Sequence, residues 1–234
     1  MKPNATSSRG RVSARPAVPK SDRPAAGLQA LALDKRRDAL LYIPQRSSPA
    51  NRPLPLVVSL HGAGGNERHG IDLLKAQADA AGVALLSPAS RRETWDVIVG
   101  GFGPDVDFIN SALQLTFDRC SIDAERLAIG GFSDGASYAL TLGLANGDLF
   151  TNVLAFSPGF TAHPSTAGKP SIFVSHGTRD AVLPIDHCSR RLVPRLRAAG
   201  YEVDYREFDG PHMVPAELAT TAVEQLVARP GKDA

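Results

Sequence analysis

The sequence predicts an α/β fold, built as a mostly parallel sheet of eight strands with helices on both faces. Three observations carry this reading. Short, unbroken apolar runs recur along the chain, amphipathic stretches separate them, and the two alternate from residue 54 onward. A strand that is apolar at every position is buried on both faces, and helices are what cover it. The chain has 234 residues, of which 43% are apolar, which suits one such domain.

Taken in order, residues 1–26 are rich in Pro, Ala, Ser and Arg and show no periodic apolar face. They read as a disordered basic tail, followed by a domain over 27–234. Two strands, 28–33 and 39–43, are expected to run antiparallel across the charged turn Asp34-Lys35-Arg36-Arg37. Strand 54–60 (LPLVVSL) and helix 70–81 come next, then strand 83–87 and helix 105–119. Strand 126–130 leads into helix 134–146, and strands 152–156 and 171–175 follow. Helix 187–199, strand 203–208 and helix 215–228 complete the series.

Charge and composition exclude several functions. The 26 Lys and Arg nearly balance the 24 Asp and Glu, so no global charge points to nucleic acid or to a membrane. The bases that cluster near the start (Lys2, Arg9, Arg11, Arg15, Lys20, Arg23 and Lys35 to Arg37) lack interleaved aromatics. No apolar run is long enough to span a bilayer, and the first residues lack a signal-peptide core, so the expected location is cytoplasmic. Cys120 and Cys188 offer neither a disulfide framework nor a metal-ligand cluster, so no metal and no cofactor is expected. The oligomeric state is left open.

In a parallel sheet, the loops leaving the carboxyl ends of the strands share one edge, and ligands bind there. Chemistry-bearing residues should therefore follow strands. Gly131-Phe132-Ser133-Asp134-Gly135 follows strand 126–130 and opens a helix, the strand-turn-helix setting of a nucleophile elbow. Such a turn is tight enough to require glycine on both sides of the serine. The helix N-terminus behind Ser133 adds positive potential where an oxyanion would form. His61-Gly62-Ala63-Gly64-Gly65 follows strand 54–60 and supplies a loop whose backbone can approach a substrate. The expected oxyanion-hole donors are the N–H groups of Asp134 and Ala63, with Gly64 the alternative to Ala63. His61 reads as a residue that shapes this loop rather than as a base.

An acid and a base complete the pattern. Asp180 follows strand 171–175 and reads as the acid that orients an imidazole, with Asp186 as the alternative. His212 lies in a Gly-Pro loop after strand 203–208 and reads as the general base. Ser133, Asp180 and His212 thus occur in the order serine, acid, histidine. Between residues 88 and 104 runs the longest internal connection, in which Trp95 and Phe102 are candidates for walls of a substrate pocket. Segment 157–170 is too short for the helical lid that many lipases insert at this point.

The motifs HGAGG, GFSDG, GTRDAVLP and GPH resemble those of the phospholipase/carboxylesterase family of α/β hydrolases, over residues 38–228. That family includes acyl-protein thioesterases. The chain is similar also to small bacterial esterases related to polyhydroxybutyrate depolymerases and dienelactone hydrolases. The resemblance implies an α/β-hydrolase fold, the triad Ser133, Asp180 and His212, and a small-molecule ester as substrate. Two departures narrow it. Thioesterase members usually carry Gln after the serine, where this chain has Asp134, and dienelactone hydrolases use cysteine where it has Ser133. The expected function is hydrolysis of small soluble carboxylic esters through an acyl-enzyme, with an acyl thioesterase or a non-catalytic binding protein as the alternatives.

Overall fold

Eight strands form one sheet in the order β1-β2-β4-β3-β5-β6-β7-β8. The computed structural model describes residues 9–20, 24–45, 52–162 and 166–228. Strands β1 (Gly27–Ala30) and β2 (Ala39–Ile43) are antiparallel to each other, and β2 is antiparallel to β4 (Ala84–Pro88). The remaining strands, β3 (Leu54–Leu60), β5 (Ile122–Phe132), β6 (Asn152–Phe156), β7 (Ser171–Gly177) and β8 (Val203–Phe208), pair in parallel. All eight strands coincide with or overlap the expected segments.

Helices cover both faces, as the all-buried strands β3, β4 and β6 require. Leu56, Val58 and Leu60 face one core, with the short α2 (Asp96–Val99), α3 (Pro104–Arg119), α4 (Asp134–Ala145) and α5 (Ser189–Ala198). Val57 faces the other, with α1 (Glu67–Ala81) and α6 (Ala216–Val227). This alternation is the period-two pattern of a strand. Helix α1 starts at Asn66, whose side chain accepts from the N–H groups of Arg68 and His69, and it ends at Gly82 in a left-handed conformation.

Several boundaries differ from the sequence reading, two of them for clear local reasons. Strand β1 stops at Ala30 because the Asp38 carboxylate accepts the N–H groups of Ala32 and Leu33 at 2.7 and 2.9 Å and draws the chain into a turn. Helix α5 starts at Ser189 because residues 184–188 form turns, closed by His187 N–H on Pro184 O and Cys188 N–H on Ile185 O.

The tail reading is corrected for residues 9–20. They cross α3 and α4 as an extended arm in which Val12 and Ala14 are buried. Asn146 accepts from Val12 N–H at 2.9 Å and donates to Gly10 O at 2.8 Å, and Asn110 accepts from Ser13 and Ala14 N–H. Arg11 and Arg15 both pair with Asp148 at 2.7 Å, and Lys20 with Asp118 at 3.0 Å. The arm has no periodicity because partners on other elements, and not an apolar face, hold it. Residues 1–8 and 21–23 of that reading lie outside the described residues.

The strand order reverses beside β3, since β4 lies on one side of it and β5 on the other. This switch point is where ligands bind in open parallel sheets. Leu60 and Gly131 are register partners there, so the loop after β3 and the turn after β5 leave the sheet side by side. Cys120 and Cys188 are both buried and unbridged, the first just before β5 and the second after β7, at opposite edges of the sheet.

Candidate active site

The turn from β5 into α4 places Ser133 at φ 58° and ψ −121°, a region that an L-residue rarely adopts. Close packing holds it there. A Cβ on Gly135 would collide with the carbonyl oxygens of Leu60 and His61, and one on Gly131 would lie 2.6 Å from the Gly135 backbone. Both flanking glycines are therefore steric requirements of the elbow. Ser133 itself is half-buried, and its N–H donates to Phe156 O at 3.0 Å.

Loop 61–65 lies against this turn, since a Cβ on Gly62 would sit 3.5 Å from the Ser133 Cβ. Gly64 N–H donates to Glu93 O at 2.8 Å, and Gly65 N–H to Gly62 O at 3.1 Å. Among the described residues, the N–H groups of Ala63 and Asp134 donate to no protein acceptor. Between Ala63 and Gly64, only Ala63 therefore keeps an uncommitted N–H.

His61 is buried with both ring nitrogens engaged. Its Nε2 accepts from Ser90 N–H at 3.0 Å, which leaves the proton on Nδ1, 2.7 Å from Gly62 O. Burial lowers its pKa to about 4, so the ring stays neutral near pH 7. With no free nitrogen it cannot relay a proton without breaking the loop, which agrees with its reading as a shaping residue.

Asp180 and His212 meet at 2.6 Å through Oδ2 and Nδ1. The other carboxylate oxygen accepts the N–H groups of Val182 and Leu183 at 2.9 and 2.8 Å. Burial alone would raise the Asp180 pKa, but the bonds from Leu183 N–H and His212 outweigh it and hold the group below the usual carboxylate range. Asp186, the alternative acid, is exposed and pairs with Arg190 at 2.9 Å. His212 packs its ring on Phe132, with centroids 4.5 Å apart, beside Ser133 in the chain. Gly177 makes this meeting possible, because a Cβ there would lie 2.5 Å from Pro211 O in the loop that carries His212.

Several contributors escaped the sequence reading. His176 is buried, with Nε2 at 3.2 Å from Asp180 Oδ2 and 2.8 Å from Leu183 O, and Nδ1 at 2.7 Å from Ser189 Oγ. Burial lowers its pKa, which keeps it a neutral support for the acid. Its place at the end of a strand was the available signal. Ser137, one turn into α4, takes the N–H of Gly159 at 2.9 Å and so ties the loop after β6 to the elbow. Thr94 donates to Asp134 Oδ2 at 2.5 Å, a pairing over 40 positions that no local pattern announces.

The two pocket candidates part company. Trp95 is fully buried between His61 (4.8 Å) and Tyr138 (5.0 Å), and its Nε1 donates to His61 O at 2.9 Å. It supports the loop from below and presents no wall to solvent. Phe102 is half-buried, turns its ring on Gly10 of the arm, and helps to line a cavity of about 250 Å³ with Arg91, Val99 and Gly100. Among the described residues, no group of three or more His, Cys, Asp or Glu side chains is arranged to hold a metal ion, and no helix is long and apolar enough to cross a membrane.

The eight-stranded sheet, with the elbow, the glycine loop and the Asp-His pair on one edge, has the α/β-hydrolase fold. More narrowly, the model of the phospholipase/carboxylesterase family matches residues 106–220, the part that holds Ser133, Asp180 and His212. It is similar to NocK of Nocardia uniformis subsp. tsuyamanensis, named as an esterase, with 32% identity over 154 residues. That match takes in 60% of this chain but only 44% of NocK, so the chain spans less than half of this relative. Among solved structures, FphF of Staphylococcus aureus, a fluorophosphonate-binding serine hydrolase, superposes with a TM-score of 0.70 at 13% identity, over 88% of this chain and 100% of FphF. The esterase PE8 does so with a TM-score of 0.60 at 23% identity, over 80% of this chain and 97% of PE8. At these identities the two structures bear on the fold.

Proposed function

We propose that the protein is a serine carboxylic ester hydrolase acting on small soluble esters through an acyl-enzyme. The observation that carries this reading is the 2.6 Å bond between Asp180 and His212, whose ring packs on Phe132, the residue before the strained Ser133. In this mechanism the Asp180 carboxylate holds the proton on His212 Nδ1 and leaves Nε2 as the base. His212 takes the Ser133 proton as Oγ attacks the ester carbonyl, then returns it to the leaving alcohol. The oxyanion accepts from Ala63 and Asp134 N–H, at a helix N-terminus that favours negative charge. Water then repeats the sequence on the acyl-enzyme and frees the acid.

The family match and the likeness to NocK support an esterase over a binding protein on the same scaffold. Among the described residues of segment 157–170 there is no helix to close over the site, which favours dissolved substrates. The test is hydrolysis of short-chain phenyl esters and of matched acyl thioesters by the wild type and by Ser133→Ala. Ester turnover that exceeds thioester turnover and vanishes in Ser133→Ala supports the reading. Ester turnover that survives in Ser133→Ala rejects it.

A further inference from the structure

Three consecutive residues, Glu93, Thr94 and Trp95, hold both halves of the proposed oxyanion hole. On one side, Glu93 O accepts Gly64 N–H at 2.8 Å and Trp95 Nε1 donates to His61 O at 2.9 Å, which pins the loop that carries Ala63. On the other, Thr94 Oγ1 donates to Asp134 Oδ2 at 2.5 Å, which pins the residue that carries the second N–H. The segment has a firm footing of its own. Asp96 N–H donates to Asp105 Oδ2 at 2.7 Å, Asp105 N–H to Asp96 Oδ2 at 3.0 Å, and Tyr138 OH to Asp96 Oδ1 at 2.8 Å. Asp96 and Asp105 are both buried, and Tyr138 lies on α4 directly under Trp95.

We propose that Thr94 is a positioning residue that sets the spacing of the two oxyanion donors by tying the Asp134 side chain to segment 93–95. This rests on the ester-hydrolase reading above. The need for such a tie follows from Asp134 itself. A carboxylate beside a developing oxyanion opposes it by Coulomb repulsion, so the place at which it is held matters. Thr94 engages one carboxylate oxygen with a hydroxyl donor, a charge-assisted bond of the stronger kind. The carboxylate is thereby held in one place, and the Asp134 N–H keeps one direction. Thr94 touches no reacting atom in this account. It acts through Asp134, and the gain appears only as negative charge builds on the carbonyl oxygen.

The test is steady-state kinetics on a short-chain ester, normalised by active-site titration so that only folded protein counts, together with inhibition by a trifluoromethyl ketone that forms a tetrahedral oxyanion adduct. Thr94→Val keeps the shape and removes the hydroxyl. It should lower kcat about tenfold with KM moving less than about twofold, and weaken the ketone by the same factor. Thr94→Ser should restore most of both. In an Asp134→Ala background the Thr94→Val change should matter less than about twofold, because the two act as one unit. The proposal falls alone if Thr94→Val keeps full kcat while Ser133→Ala is inactive, or if the loss is equal with and without the Asp134 carboxylate. Retained turnover in Ser133→Ala would overturn it together with the hydrolase reading.

Discussion

The imidazole of His212 is fixed from two directions, since Asp180 binds its Nδ1 at 2.6 Å while the ring of Phe132 packs on its face at 4.5 Å. Phe132 directly precedes Ser133, so the residue that delivers the proposed nucleophile also aligns the proposed base. Ser133→Ala and His212→Ala should each lower kcat by roughly 10³-fold or more with the fold retained. Asp180→Asn should lower it strongly as well, by disturbing the imidazole tautomer. Asp186→Asn should stay near wild type, because Asp186 is engaged with Arg190 on the surface. Near-normal kcat in Asp180→Asn with loss in Asp186→Asn would reverse the assignment.

Asp105 gives a prediction on pH and stability. Burial, with the nearby Asp96 charge, raises its pKa from 3.8 to about 6. The folded state thus holds this proton more tightly than the unfolded chain. The stability it contributes is full below pH 4 and is lost as pH rises through about 6. Asp105→Asn cannot ionise and escapes that loss. The unfolding free energy of the variant relative to wild type should move in the variant's favour by about 2 kcal/mol between pH 4 and pH 7.5, followed by urea denaturation. A difference independent of pH would contradict the assignment.

The docked arm predicts a stability effect separable from activity. Removing residues 1–20 exposes the sites of Val12 and Ala14 and takes from Asn146 its bonds to Val12 and Gly10. The unfolding free energy should fall by about 2 kcal/mol or more. Asn146→Ala should reproduce much of this in the full chain. In both, kcat/KM at 25 °C should stay within about twofold of wild type, since the described arm residues bond to Asn110, Asp118, Asn146 and Asp148, all away from the elbow. Unchanged stability on truncation would show that the arm's contacts contribute nothing.

An open site predicts ordinary saturation kinetics. An enzyme whose mouth is hidden until it meets an oil surface jumps in rate as substrate passes its solubility limit. With no helix among the described residues of 157–170, this protein should show no such jump. Rates on a short-chain ester measured across its solubility limit decide the matter. A sharp rise at the limit would contradict the open site.

Much of this was legible because burial leaves its mark on sequence. LPLVVSL and NVLAF read as strands since every side chain in them is buried, and Ser133, Asp180 and His212 stood out because each follows a strand, although β8 before His212 is only partly buried. What escaped depends on partners far along the chain. The arm carries only Val12 and Ala14 into the core, and its other contacts reach Asn110, Asp118, Asn146 and Asp148. Trp95 looked like a pocket wall because its loop is long and glycine-rich, whereas its burial comes from His61 and Tyr138, which only the fold brings to it. Thr94 carries no motif at all, and its bond to Asp134 joins the loop after β4 to the first turn of α4, with β3 between their two strands.

The central claim is that Ser133 is a nucleophile activated by His212. It is tested most directly by intact-protein mass spectrometry after brief exposure to a fluorophosphonate at neutral pH. The account predicts a single phosphonyl adduct that maps by peptide analysis to Ser133. Labelling should be absent in Ser133→Ala and slowed by orders of magnitude in His212→Ala. An unlabelled wild type, or an adduct on another residue that persists in Ser133→Ala, would contradict it.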